Sequence, residues 1–187
     1  MDSSTSTLLI IAVIAIALVA IVALLVRGRR SKDLKTRFGP EYDRALEEAD
    51  DKRKAEAELR ERQKRVKHLD IRPLTADEQA DFIASWRRTQ ADFVDAPSRA
   101  LADADALLTQ VMRTRGYPMD NFEQRAADVS VDHPTVVQNY RAGRDIAVRE
   151  KSGQATTEDM RQAMLHYRTL FDELVEDVAA DKAVKAS

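Results

Sequence analysis

The chain has 187 residues and no cysteine, which bounds it to one modest domain with accessory segments and excludes a disulfide framework, a thiolate metal site and a cysteine nucleophile. Its formal net charge of −2 conceals an uneven distribution, because residues 27–37 carry six bases and one acid whereas residues 70–187 carry 21 acids and 15 bases. Nucleic acid is therefore not expected as a partner, since binding to the phosphate backbone depends on Lys and Arg.

The first predicted element is a transmembrane helix over residues 8–26, which follows a short N-terminal tail of residues 1–7. Leu8 to Val26 are uncharged and almost wholly apolar, and 19 residues at about 1.5 Å each match the thickness of a hydrocarbon core. A cleaved signal peptide is disfavoured, because it needs a basic region before a shorter apolar stretch and a small-residue cleavage site after it. We expect a retained single-pass anchor in the lipid bilayer.

A basic juxtamembrane segment, residues 27–37, follows the apolar run. The positive-inside rule places the N-terminus outside and everything after Val26 in the cytoplasm. The basic side chains of this segment are also expected to contact anionic lipid head groups; they are Arg27, Arg29, Arg30, Lys32, Lys35 and Arg37.

A charged helical stalk is predicted over residues 38–69. Gly39 breaks the preceding pattern, Pro40 suits the first position of a helix, and 18 of the 29 residues from Glu41 to Leu69 are charged. Acid–base pairs four residues apart support a solvated helix, and we expect a semi-rigid spacer of about 43 Å from the helical rise. The alternative is a coiled coil that supports only weak homo-oligomers, because polar residues interrupt its best seam: Ala45, Ala49, Lys52, Glu56, Leu59, Gln63 and Val66.

Residues 74–178 are predicted to fold as an all-α domain, a small bundle of four or five short helices. Thr75 and Glu78 form a capping-box pattern that opens the first helix, which should end near Asp95. One face of this helix is apolar and comprises Phe82, Ile83, Trp86, Phe93 and Val94. Pro97 opens the second helix, and Gly116 supplies its left-handed terminus.

The second half of the predicted domain contains three more helices. The third runs from about Met119 to Asp128, and the fourth opens at residues 132–134 with Asp132 or His133 as its cap. Thr156 caps the last helix, whose apolar residues recur every three or four positions: Met160, Ala163, Met164, Tyr167, Phe171, Leu174, Val175 and Val178. No alternating strand pattern with hairpin turns is present in the sequence, and residues 179–187 are expected to form a flexible tail.

The loop-rich stretch between the second and fourth helices holds the candidate interaction surface. Its aromatic and arginine side chains are types that protein interfaces favour, and the six candidates are Tyr117, Phe122, Arg125, Asp128, Asp132 and His133. The alternative is structural: the two aromatic side chains would close the end of the bundle, while Arg125 pairs with Asp128 or Asp132.

No catalytic residue, metal or cofactor is predicted, because the five glycines are isolated and no phosphate loop or zinc-helix motif occurs. The preferred function is a membrane-tethered helical interaction or adaptor module with a cytoplasmic protein partner of unknown identity. The alternative is a small ligand-binding or metal-dependent enzymatic helical domain that uses His133 and His166 with the Arg125–Asp132 region.

Several strings along residues 37–174 resemble a bacterial family of small, single-span, membrane-anchored helical proteins that carry labels such as hypothetical or putative secreted protein. The strings are RFGPEYDRA (37–45), HLDIRPL (68–74), RGYP (115–118), FEQRAADVSVDHP (122–134) and TEDMRQAMLHYR (157–168). The resemblance implies a protein of the bacterial inner membrane. It implies no activity, cofactor or catalytic residue.

Overall fold

The computed structural model describes residues 28–176 together with Leu18, Ile21, Val22, Leu25 and Val26. Every regular element in this part of the chain is a helix, which confirms the all-α class. The first helix, α1, includes residues 28–38. It is followed by α2 (Pro40–Glu48), α3 (Lys52–Lys67), α4 (Ala76–Asp92), α5 (Pro97–Arg115), α6 (Phe122–Asp132), α7 (Val137–Lys151) and α8 (Thr157–Glu176).

The predicted membrane span, residues 8–26, lies outside the described residues apart from the five named individually above. These five are helical, and their apolar side chains are exposed. Among the described residues, no helix combines the length and the hydropathy that a membrane crossing requires. Arg27, the N-terminal tail of residues 1–7 and the C-terminal tail of residues 179–187 also lie outside the described part of the chain.

Helices α4–α8 enclose the larger of two hydrophobic cores. α8 supplies the predicted apolar stripe, and all of its described members are buried, with Val178 outside the described residues. Trp86 of α4 stacks on Phe171 of α8 with ring centroids 4.7 Å apart. Leu101, Leu108 and other apolar residues of α5 fill the space between α4 and α8. The bundle therefore buries the apolar faces that the helical periodicity indicated.

Local signals mark most of the helix ends in this bundle. Thr75 and Glu78 form the predicted capping box, and Gly116 ends α5 in the left-handed conformation with φ 98°. Thr156 accepts a hydrogen bond from the backbone N–H of Asp159 at 3.1 Å, as expected for the cap of α8. Val94, predicted on the apolar face of α4, is instead 84% exposed, because α4 ends at Asp92.

The prediction for the segment between α5 and α7 is wrong in two details. α6 begins at Phe122, with Asn121 as its cap, and continues to Asp132 instead of ending near Asp128. α7 begins at Val137 without a side-chain cap, so neither Asp132 nor His133 opens it. The physical reason is that the backbone N–H of His133 donates to Val129, at 2.8 Å, which commits this segment to the end of α6.

The predicted stalk over residues 38–69 is not a continuous free-standing helix. Ala49 is extended, and Asp51 caps a new helix by accepting hydrogen bonds from the backbone N–H groups of Arg53 and Lys54. α2 and α3 therefore form a hairpin that packs against itself and against α6. The charge pattern predicted a solvated helix because buried acids such as Glu41 and Glu56 cannot be told from exposed ones by spacing alone.

A second, smaller core joins this hairpin to α1 and α6. Its buried members are Leu34, Phe38, Tyr42, Ala45, Ala55, Leu59, Val66 and Val131. Val131 comes from α6, and partly buried Ile71 packs against both cores. Since Ala45, Leu59 and Val66 of the alternative coiled-coil seam are buried within the chain itself, they are not available to a second chain. The sequence from residue 28 onward thus folds against the bundle instead of standing apart from it.

Candidate functional site

Most side chains of the six-residue candidate interaction surface are buried. Four of its members are enclosed, with Arg125 the most exposed of them at 9%, while Phe122 is half-buried and Asp132 is exposed. The four buried members are Tyr117, Arg125, Asp128 and His133. These four side chains face the interior of the protein, so only Phe122 and Asp132 of the predicted surface are accessible to a partner.

The Arg125 side chain forms a hydrogen bond within the bundle and does not pair with Asp128 or Asp132, the partners that the structural alternative expected. Its Nε donates to the Tyr140 hydroxyl at 2.9 Å. Phe122 lies against the Tyr140 ring with centroids 4.8 Å apart, and the Arg144 guanidinium lies 5.5 Å from the Phe122 centroid. Burial raises the pKa of Tyr140, although the positive charge of Arg125 opposes the shift. Phe122 and Arg125 of α6 thus pack against α7 through Tyr140.

A second polar group links three helices of the bundle. The Tyr167 hydroxyl of α8 donates to Asp105 of α5 at 2.9 Å, and Arg144 of α7 donates to the other carboxylate oxygen at 2.8 Å. Burial and the adjacent Asp105 carboxylate both raise the pKa of Tyr167. The phenol therefore stays protonated and donates a hydrogen bond to the partly buried carboxylate.

The two candidate histidines do not share a site. His133 Nδ1 lies 3.2 Å from a Glu173 carboxylate oxygen, whereas His166 Nδ1 lies 2.8 Å from the side-chain oxygen of Asn139. Glu173 and His166 are seven positions apart on α8, or about 10.5 Å along the helix axis. Within the described residues, no group of three His, Cys, Asp or Glu side chains could hold a metal ion. The geometry does not assemble the alternative histidine site.

A buried ion network, which sequence reasoning missed, lies where α2, α3 and α7 meet. Glu41 is 1% exposed, and its two carboxylate oxygens lie 3.5 Å from Arg62 and from Arg141. Arg141 also pairs with Glu123 of α6 at 2.6 Å. Because buried charges require compensation, these contacts tie the hairpin to the bundle. A second such tie joins Arg65 of α3 to fully buried Asp128 of α6, with Arg65 Nε donating at 2.8 Å.

The candidate functional site is a basic cleft between α1, α3 and the end of α6. Two adjoining cavities, of about 630 Å³ and 330 Å³, share Arg37, Arg60 and Gln63 in their walls. Five basic residues line the combined space, which we call the basic cleft: Arg30, Arg37, Arg60, Lys64 and Lys67. The acids Asp33 and Asp132 are its only described acidic lining residues, and its apolar wall comprises Leu34, Val66, Leu69, Ile71 and Val131.

The positive charges of the basic cleft are incompletely compensated. Arg30 and Lys67 have no ion-pair partner among the described residues, and Arg37 approaches Asp132 only to 3.8 Å. Arg60 and Lys64 pair along their own helix, with Glu56 at 3.0 Å and with Glu61 at 2.7 Å. Such a cavity attracts anions because its walls focus the field of several like charges.

Of the five described basic residues that were predicted to contact lipid head groups, two line the basic cleft, namely Arg30 and Arg37. Arg29, Lys32 and Lys35 are exposed elsewhere on α1. Arg60, Lys64 and Lys67 could not be assigned to the same site from the sequence, since α3 was expected to stand alone as a stalk.

Comparison with known proteins adds no family to these observations. No protein-family model, no curated protein and no solved structure matches the chain.

Proposed function

We propose that the chain is a membrane-tethered helical module that holds its folded part against the cytoplasmic face of a bacterial inner membrane for a protein partner. In this proposal residues 8–26 cross the bilayer once, with the N-terminus outside. The observation that carries the proposal is the exposure of the apolar side chains that the structure describes within residues 8–26. Exposed apolar patches mark contact with a membrane or a partner, and the five described residues are between 41% and 64% exposed: Leu18, Ile21, Val22, Leu25 and Val26.

The way in which α1 enters the folded part supports a short, stiff tether. Leu34 and Phe38 of α1 are buried in the second core, at 4% and 0% exposure. Val26 and Leu34 are eight positions apart, or about 12 Å along a helix. The tether therefore holds the domain close to the membrane surface, where basic residues at the start of α1, such as Arg29, meet anionic head groups, instead of 43 Å away at the end of a stalk.

Membrane attachment is tested by placing charge in the middle of the apolar run. The double variant Ile14→Arg/Leu18→Arg should leave the membrane pellet after cell fractionation, because each Arg near the centre of a span costs about 2.5–3.5 kcal/mol on insertion. The matched control Ile14→Val/Leu18→Val should remain in the pellet. Equal partitioning of both variants into the soluble fraction, together with the unaltered chain, would refute the anchor.

Orientation is tested with fusions after Ser187. A fluorescent protein should be active there and alkaline phosphatase should be silent, because the positive-inside rule places this end in the cytoplasm. The reverse pattern would place the folded part outside.

Binding of a protein partner is tested with the membrane-anchored chain. Affinity capture after chemical cross-linking in intact cells should recover a protein with the unaltered chain and lose it with Ile14→Arg/Leu18→Arg. Recovery of the same proteins by both chains, or of none by either, would contradict a tethered adaptor.

A further inference from the structure

We propose that the basic cleft binds a soluble organic phosphate, a small molecule that carries a phosphate group on an apolar or planar body. The cleft itself is independent of the function proposed above, although the argument that the ligand is soluble uses the predicted position of the bilayer. Two of the lining cations, Arg30 and Lys67, have no ion-pair partner among the described residues and can therefore pair with an anionic ligand.

The charge of the cleft defines the ionic part of the ligand. Five basic residues and two acids line the cleft, and two of the basic residues, Arg60 and Lys64, also pair with acids outside it. Arg37 and Arg60 stand in the wall common to both cavities, and a pair of guanidinium groups suits phosphate because each offers a planar fork of N–H donors. Lys64 and Lys67 add mobile point charges at one end.

The apolar wall defines the rest of the ligand. Val66 and Val131 belong to the second core, and Leu69 and Ile71 pack against it, so this wall is fixed by the fold. The larger cavity, at about 630 Å³, lies within the range of about 300–1,000 Å³ that small-molecule sites occupy. Inorganic phosphate alone would leave most of this space and its apolar wall unused.

The distance of the lysine end of the cleft from the predicted bilayer favours a soluble source over a lipid head group. Ser31 of α1 and Glu56 of α3 lie at one level, because both contact the Tyr42 hydroxyl, at 3.3 Å and 3.0 Å. Ser31 is five positions beyond Val26, or about 7.5 Å of helix. The head-group layer of one leaflet is about 5–8 Å thick.

The lysines of the cleft lie still farther from this layer. α3 runs beside α1 in the same direction, since Arg37, near the end of α1, shares the larger cavity with Lys64 and Lys67. Lys67 is eleven positions beyond Glu56, or about 16 Å. This end of the cleft thus stands about 24 Å beyond the apolar run, outside the head-group layer of the predicted bilayer.

The experiment measures binding of phenyl phosphate to the full chain by isothermal titration calorimetry in nanodiscs of zwitterionic phosphatidylcholine. Phenol and inorganic phosphate, the two halves of phenyl phosphate, are titrated separately for comparison. We expect phenyl phosphate to bind more tightly than either half, and Arg37→Gln/Lys67→Gln to weaken it at least tenfold. The matched control Arg53→Gln/Lys151→Gln, which removes the same charge at exposed positions outside the cleft, should bind within twofold of the unaltered chain.

Three results would overturn the inference. They are no detectable binding of phenyl phosphate, equal weakening by the cleft and control variants, and loss of binding when phosphatidylglycerol is added to the nanodiscs, which would identify a lipid head group as the occupant. Circular dichroism of Arg37→Gln/Lys67→Gln tests its folding, and Lys64→Gln/Lys67→Gln, which changes only exposed lysines, should show the same direction of effect. Failure of membrane attachment would appear in cell fractionation. The same titration repeated in detergent, without a bilayer, would still show binding of phenyl phosphate and so separates the two proposals.

Discussion

Glu41 places a carboxylate between two arginines inside the protein, so charge and packing can be separated at this residue. The substitution Glu41→Gln keeps the shape of the side chain but leaves Arg62 and Arg141 without the charge that lies 3.5 Å from each. Removing one partner of a buried ion network costs about 3–5 kcal/mol. Urea denaturation followed by circular dichroism should show a loss of this size.

The control for this prediction is Glu47→Gln, on the same helix but exposed, which should change the free energy of unfolding by less than about 0.5 kcal/mol. If Glu41→Gln is as stable as this control, the network contributes no net stability to the docking of α2 and α3.

Gly143 allows α7 to approach the Tyr167 ring of α8. A Cβ at this position would lie 2.5 Å from Tyr167 Cε1, and the ring cannot withdraw freely because its hydroxyl is bonded to Asp105. Gly143→Ala should therefore lower the free energy of unfolding by about 1–3 kcal/mol through overpacking, despite the better helix propensity of alanine. Gly28→Ala, where nothing lies within 4 Å, should not destabilise the chain in the same thermal or urea scan.

At the level of single elements, the start of α4 supplies a pH-dependent contribution to stability. Hydrogen bonds from Arg72, together with the backbone N–H of Thr75, lower the pKa of Glu78 from 4.5 to about 2. A carboxylate with a lowered pKa in the folded state stabilises the fold above its unfolded pKa and loses that effect as the pH falls. The difference in stability between the unaltered chain and Glu78→Gln should therefore shrink between pH 4.5 and pH 2.

The control for the capping box is Asp77→Asn, since Asp77 is exposed in the same helical turn without serving the box. Its stability difference from the unaltered chain should vary less with pH over the same interval. A difference for Glu78→Gln that stays constant from pH 4.5 to pH 2 would contradict the assignment.

Elements whose ends are fixed by neighbouring residues could be predicted from the sequence. The capping box of α4, the left-handed Gly116 and the apolar stripe of α8 depend on spacings of a few residues, which the sequence displays directly. The hairpin of α2 and α3 could not be predicted in the same way. Its place is set by contacts such as Arg65 with Asp128, 63 positions apart, and an isolated charge pattern does not reveal which arginine finds a distant partner.

The candidate site, like the helices, could be predicted only where it depends on residues that are close in the sequence. The six-residue interaction surface was chosen for residue types, yet Asp128 and His133 are buried by helices that lie far away in the sequence. The basic cleft needs α1 and α3 side by side, and the expectation of a free stalk excluded that arrangement. Two of its five basic lining residues, Arg30 and Arg37, were nevertheless singled out as anion-binding from the local density of charge.

At the scale of the whole molecule, helix α6 joins the two hydrophobic cores. The larger core belongs to α4–α8, the smaller one to α1–α3, and α6 contributes to both through Val129 and Val131. Ion pairs from Glu41 and Arg65 cross the same boundary. A displacement of α1 is thus transmitted through the small core to α6, because packed cores are rigid and not fluid.

Because the two cores are packed together, we expect the distance between α3 and α7 to have a single, narrow distribution. The chain has no native cysteine, so spin labels at Ala57→Cys and Val148→Cys, both exposed, report this distance by pulsed electron paramagnetic resonance. Asp128→Ala removes the buried partner of Arg65 and should broaden the distribution, because an uncompensated arginine favours solvent over the interface. Labels at Ala106→Cys and Val148→Cys, both within the bundle, should give a distribution that Asp128→Ala leaves unchanged. A broad α3–α7 distribution in the unaltered background would show that α1–α3 do not dock, and broadening of both pairs would show that Asp128 stabilises the bundle itself.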